Sequence, residues 1–247
     1  IGTPGSYVVI TGTHFDPTPA NDSLKFNRSL AVVNAATADT IHTNVPASTG
    51  SGRLTVSTPA GTAVSGQDFF IPPAPFTAGD VEATGRIADG GPGKTVAITT
   101  AEKIGLVLFD GTAGQRVSLS VSGVTLAASW VKLYDPFGAL VTSAYVGPSG
   151  GALNAALPTE GTYTVLVDPE GTNTGSLTLT LATPDLTPTA FTAPANATTQ
   201  QSIALAWTVT NQGTGVAKPT WSDYVYLSTS AVYKTVDTYL TLVTCTS

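Results

Sequence analysis

The sequence predicts an all-β protein: β-sandwiches in tandem, joined by proline-rich linkers. Apolar residues recur with period two in segment after segment, no stretch sustains helical periodicity, and two proline-rich breaks divide the 247 residues. In chain order, "RLTV" (53–56) offers Leu54 and Val56 to a core. "IPPAPF" (71–76) holds three prolines in six residues and reads as a stiff, extended connector, not the centre of a strand. "RVSLSVS" (116–122) places Val117, Leu119 and Val121 on one face and serines on the other. "SWVKLYD" (129–135) turns Val131 and Leu133 inward and leaves Trp130, Lys132 and Tyr134 on the opposite face.

In "YTVLV" (163–167), Tyr163, Val165 and Val167 share a face, and in "SLTLTL" (176–181) Leu177, Leu179 and Leu181 do the same. Such alternation predicts antiparallel sheets with one face packed and one wet. "DPFG" (135–138) and "DPEG" (168–171) repeat Asp, Pro and Gly at positions i, i+1 and i+3, the preferences of a type I turn. Neither has the density of oxygen ligands that a calcium loop needs. A second break, "ATPDLTPTAF" (182–191), precedes "ALAWTVTNQGTG" (204–215) and "DYVYLSTS" (223–230), a strand, a polar turn and a strand. The expected modules are therefore 1–72, 76–183 and 184–247.

Composition bounds the setting. Charged residues make up 11% of the chain, against about 25% in ordinary globular domains, so Thr, Ser, Asn and Gly must cover much of the surface, as they commonly do in extracellular β-proteins. The net charge of −6 and the absence of a Lys/Arg cluster argue against a nucleic-acid partner. Apolar runs such as "IGLVLF" are far too short to span a bilayer. The opening "IGTPGSYVVI" has none of the parts of a secretion signal, and methionine is absent, which points to a piece processed or excised from something longer. A lone cysteine, Cys245, rules out an internal disulfide and leaves an incidental thiol or an intermolecular bridge.

Three resemblances sharpen this reading. "VVITGTHF" (8–15), "LKFN" (24–27) and "NVPASTGSGRLTVSTPAGTAVSGQDFFI" (44–71) resemble an IPT/TIG domain, an immunoglobulin-like sandwich, with its short first strand missing. "FDGTAGQRVSLSVS" (109–122), "VKLYDPFG" (131–138) and "LPTEGTYTVLVDPEGTNTGSLTLTL" (157–181) are similar to the pre-peptidase C-terminal type of jelly roll. "PDLTPTAFTAPANATTQQSIALAWTVTNQGTG" (184–215) and "WSDYVYLST" (221–229) resemble the first half of a CARDB domain, an adhesion-related sandwich. These resemblances imply a bacterial extracellular or cell-surface protein, with Trp207 and Trp221 at core positions. An immunoglobulin-type sandwich takes about 100 residues, so half of one would leave Ile203, Leu205, Trp207 and Val209 facing water. Strand addition from a neighbouring chain is one physical remedy.

No constellation of catalytic or metal-binding residues emerges, and no cofactor is expected. "GPSGG" (147–151) has the outline of a serine-nucleophile loop, but a nucleophile needs a base in reach, and the only histidines, His14 and His42, lie across the proline linker from Ser149. Those histidines, with Asp16 or Asp39, fit no metal spacing. Glu82, Glu102, Glu160 and Glu170 are scattered, with nothing to mark a glycosidase pair. The sequons at Asn21, Asn27 and Asn196 mean little in a bacterial protein. Trp130, Lys132 and Tyr134, and likewise Tyr224 and Tyr226, form faces that suit either a polysaccharide platform or packing against a neighbouring strand or linker. The expectation is a non-catalytic stalk, spacer or self-assembling element. The alternative is an accessory, carbohydrate-binding region of a secreted polysaccharidase or protease.

Overall fold

The computed structural model describes residues 1–198, 200–215, 217, 220–230, 232 and 234–246, the last by its backbone alone. Residues Ile1–Thr183 make one compact body and Pro184–Ser247 a second. The fold is all-β; among the described residues the helical turns are single 3-10 turns at Pro19–Asn21 and Ala78–Asp80.

The first body begins with strands β1 (Tyr7–Thr11), β2 (Ser23–Phe26), β3 (Ser29–Ala31), β4 (Val33–Ala36), β5 (Thr40–Asn44), β6 (Gly52–Thr58) and β7 (Gly61–Phe69). They form two sheets, ordered β1-β5-β4 and β3-β2-β6-β7. Between the sheets lie Leu24, Phe26, Ile41, Val45, Val56 and Ile71, with Phe69 set edge-on to Phe26 at 5.2 Å. Val56 is buried as its alternation requires, while Leu54 is half-buried and packs at the margin of this core. The β2–β3 hairpin has a two-residue loop, Asn27–Arg28, in which Asn27 takes the left-handed conformation, φ 54°.

Nine strands follow: β8 (Val81–Arg86), β9 (Lys94–Ile98), β10 (Ile104–Gly111), β11 (Arg116–Ser122), β12 (Ser129–Tyr134), β13 (Leu140–Val146), β14 (Gly151–Ala156), β15 (Gly161–Pro169) and β16 (Gly175–Ala182). They stack as a five-stranded sheet, β13-β12-β15-β10-β8, on a four-stranded one, β14-β11-β16-β9. All pairs are antiparallel except β8 with β10. Val117, Leu119, Val121, Leu177, Leu179 and Leu181 from the four-stranded sheet meet Val107, Phe109, Val131, Leu133, Tyr163, Val165 and Val167 from the other. Phe109 stacks on Tyr163, whose buried hydroxyl donates to the Thr159 carbonyl at 2.6 Å.

Two local expectations need correction. The "DPFG" segment is a turn as read: the Asp135 carboxylate accepts from the Phe137 and Ala139 amides at 2.9 Å, and Gly138 takes φ 84°. The "DPEG" segment is not. Asp168 and Pro169 remain in β15, paired with Trp130 and Ser129, and the chain turns at 170–173, where the Asn173 amide donates to the Glu170 carbonyl. Proline is tolerated there because the ladder with β10 ends at Val167, so Pro169 is paired only with β12, as on an edge strand. Asp168 is also drawn away from any turn by Lys132, 2.9 Å distant.

The second correction concerns the wet face. Strands β10 and β15 are buried on both sides. Ile104, Leu106 and Leu166 project from the outer face of the five-stranded sheet and are sealed by Phe70 and Phe76, which bracket the proline connector, together with Val81 and Tyr134. The connector is thus packed down onto the sheet.

Around this apolar patch the first seven strands are tied to the next nine at backbone distance. The Asn27 amide acts like a strand edge: its Nδ2 donates to the Thr162 carbonyl at 2.8 Å and to Ser51 O at 2.9 Å, and its Oδ1 accepts from the Thr162 amide at 3.2 Å. The Gly50 amide donates to the Pro136 carbonyl at 2.9 Å. Asp68, its side chain only 8% exposed, lies between Arg53 at 3.2 Å and Arg86 at 2.7 Å, and Arg86 also grips Asp110 at 2.6 Å. Burial alone would raise the Asp110 pKa, but its bonds from Arg86 and Thr162 outweigh that and hold it below the usual carboxylate range.

The second body has strands β17 (Leu186–Thr192), β18 (Ala206–Asn211), β19 (Thr220–Leu227) and β20 (Thr238–Thr246), paired as two antiparallel two-stranded sheets, β17-β18 and β19-β20. Among its described residues no large apolar side chain is fully buried. Leu205, Trp207 and Val209 are half-buried and not open to water as expected, whereas Ile203 is exposed. Trp207 is held by its indole N–H, which donates to Asp223 Oδ2 at 2.7 Å. The Cys245 thiol donates to the same carboxylate. Burial first, and then that charge, pushes the thiol pKa up.

Gly50 offers a clean test of the joint. A Cβ there would lie 2.8 Å from the Asp135 carbonyl oxygen and 3.2 Å from that of Pro136, both backbone atoms with little freedom to give. We expect Gly50→Ala to destabilise the first body by about 1–3 kcal/mol, as overpacking does, measured by urea unfolding. A neutral result would mean that the contact is loose.

Candidate functional site

Strand β12 builds the candidate site. Alternation sends Val131 and Leu133 into the core and Trp130, Lys132 and Tyr134 outward, as read from the sequence. The outward three do not form one platform. Tyr134 packs against Ile104, Leu106 and Leu166 beneath the connector, where burial raises its phenol pKa; it belongs to the joint. Trp130 and Lys132 lie farther along the strand. Trp130 is 40% exposed and sits opposite Tyr145 of β13, itself 52% exposed, with ring centroids 5.2 Å apart and planes at 67°.

Polar groups bracket the two rings. Trp130 lies opposite Asp168 in register, and Lys132 Nζ reaches Asp168 Oδ2 at 2.9 Å while standing 5.9 Å over the Trp130 ring, within cation–π range. The Tyr145 hydroxyl donates to Glu170 Oε2, and that bond raises its phenol pKa. Sequence reasoning missed Tyr145, Asp168 and Glu170. Alternation in "LVTSAYV" exposes Tyr145, but only the β12–β13 register brings it to Trp130.

The other candidates are not brought together. Tyr224, 60% exposed, lies opposite Leu242, and Tyr226 opposite Tyr239, with Tyr239's ring 6.4 and 5.8 Å from theirs; this forms a separate aromatic row on β19–β20. Ser149 occupies a tight turn closed by the Gly150 amide on the Gly147 carbonyl. His42 meets the Tyr7 hydroxyl, and His14 is an exposed turn residue at φ 63°. Asp16 caps the loop to Asn21, accepting from the Thr18 amide and the Asn21 side chain, which lower its pKa. The Asp39 backbone sits in the turn closed by Thr37.

Glu82 accepts from the Thr99 and Thr100 amides, Glu160 pairs loosely with Arg28 at 3.7 Å, Glu170 serves Tyr145, and Glu102 occupies a turn at φ 63°. Among the described residues no group of three or more His, Cys, Asp or Glu gathers as a metal site, and no helix is long and apolar enough to cross a membrane.

No family model matches the sequence, and no curated protein matches it. Solved structures that the chain matches include Aeromonas hydrophila PliG, a periplasmic inhibitor of g-type lysozyme (15% identity, TM-score 0.33, 41% of this chain and 97% of that one). They also include the pre-peptidase C-terminal domain of collagenase from Bacillus anthracis (14%, TM-score 0.31, 40% and 94%). A third is a Bacteroides ovatus protein, SGBP-B of a mixed-linkage glucan utilization locus, in complex with a heptasaccharide (9%, TM-score 0.21, 72% and 73%). At these similarities the functional reading rests on the chain's own geometry.

The Trp130–Tyr145 contact is directly measurable. A double-mutant cycle with Trp130→Ala and Tyr145→Ala should return a coupling of about 1 kcal/mol, the scale of a cross-strand aromatic pair. A coupling near zero would mean that the rings do not meet in solution.

Proposed function

We propose that the chain is a non-catalytic structural segment of a bacterial secreted or surface protein, an accessory region that serves as stalk or spacer. The IPT/TIG, jelly-roll and CARDB likenesses read from the sequence, and the adhesive or self-assembling role they imply, belong to this proposal. The observation that carries it is the joint. Two pairs of sheets are fused through an apolar patch, an asparagine that binds backbone to backbone, and a buried Asp68 between two arginines. Such a joint fixes one orientation, which is what a spacer requires and a hinged linker lacks. Supporting it, the sequence covers its surface with uncharged polar residues, and Ser149, the histidines and the glutamates are each used in turns or caps or lie apart from one another.

The test is a distance distribution by electron–electron resonance between spin labels at Ala60→Cys, in the β6–β7 turn, and Ser120→Cys, on β11, in a Cys245→Ser background. A stiff joint gives one narrow distance. A broad or bimodal distribution would remove the spacer reading for this body.

A further inference from the structure

The corner formed by Trp130 and Tyr145 takes no part in the joint's bonds, and nothing in the structural role just described accounts for it. The geometry points to a binding site for a neutral polysaccharide at this corner. Two large rings are held at 40% and 52% exposure, and their orientation is fixed in advance: by each other at 5.2 Å, by the Lys132–Asp168 bridge at 2.9 Å, and by the Tyr145–Glu170 hydrogen bond. Side chains already ordered cost little further entropy when a ligand arrives.

The chemistry selects the ligand class. An aromatic face is electron-rich and meets weakly positive C–H edges well, and a pyranose ring presents such a face with hydroxyls around its rim. Those hydroxyls both donate and accept. At this rim, Asp168 and Glu170 each have a carboxylate oxygen beyond the one already bonded, and Lys132 has further N–H donors beyond the one on Asp168. The local charge is one cation and two carboxylates within a chain of net charge −6, so an anionic polymer would be repelled. A neutral chain meets no such barrier.

The 67° between the rings makes a corner and not a flat strip. It grips one sugar ring firmly, not several, which sets the dissociation constant per site on the order of 1 mM.

The test is affinity electrophoresis of the whole chain through gels containing galactomannan, xyloglucan or laminarin, with polygalacturonate as the anionic comparison. At least one neutral polymer should retard the protein. Trp130→Ala should weaken that retardation at least tenfold with an unchanged circular dichroism spectrum. Tyr145→Phe, which keeps the ring and loses the tie to Glu170, should weaken it less, and Tyr224→Ala should leave it intact. Retardation by no neutral polymer, retardation by polygalacturonate alone, or full binding by Trp130→Ala in a folded protein would each overturn the site. Co-migration with another protein lost in Trp130→Ala, without polysaccharide binding, would reassign the corner to protein contact.

Discussion

The outer face of β10 and β15 has to be covered, and the rest of the first body follows from how this is done. Ile104, Leu106 and Leu166 are buried to within 1% on the side of the sheet that faces away from the sandwich core. A strand that is apolar on both faces needs a layer on each. The inner layer is the four-stranded sheet; the outer one is Phe70 and Phe76 at the two ends of the proline connector, with Val81 and Tyr134. Once that layer is in place, backbones must approach closely, and glycines sit where they do. A Cβ at Gly50 would meet the Asp135 and Pro136 carbonyl oxygens, and one at Gly161 would meet Pro136 at 2.7 Å. Gly138, at φ 84°, has the Thr49 carbonyl where its own side chain would be.

The polar part of the joint divides labour with the apolar part. Burial of the patch supplies stabilisation in proportion to area but is indifferent to a sliding shift. Direction comes from groups that must be matched. Asn27 satisfies both the N–H and the C=O of Thr162, and Asp68 is too deeply buried to be left with one arginine. The Asp68 side chain is 8% exposed but its two arginines are 39% and 31% exposed, so solvent screens these pairs and they contribute direction more than stability. In a chain with so few charges, their concentration here specifies one arrangement.

Much of this fold was legible residue by residue. Period-two alternation located the faces of β11, β12 and β16 correctly, because each has one face in a core and the other in water. In β15 it placed Tyr163, Val165 and Val167 together in the core, but the opposite face, expected wet, is buried at Leu166 because the cover comes from residues far away in sequence, and the same cover lies over Ile104 and Leu106 of β10. The "DPFG" turn was legible because its aspartate is capped locally. "DPEG" looked identical and was not a turn, since strand pairing with β12 and the Lys132 ammonium claim Asp168 first. The candidate site was half legible. Trp130 and Lys132 followed from one strand's alternation, and Tyr134 was on the predicted face but is covered. Tyr145, Asp168 and Glu170 enter only through register across three strands.

The central claim is that residues 1–183 unfold as one body because the outer face of the five-stranded sheet cannot stay bare. Native-state hydrogen exchange across a denaturant series tests it most directly, comparing core amides of the first seven strands, such as Leu24 and Ile41, with Val107 and Val165 of the next nine. The account predicts that both sets merge into a single opening with the same free energy and the same denaturant dependence. Exchange of Leu24 and Ile41 through a separate, lower-energy opening, with Val107 and Val165 still protected, would contradict it.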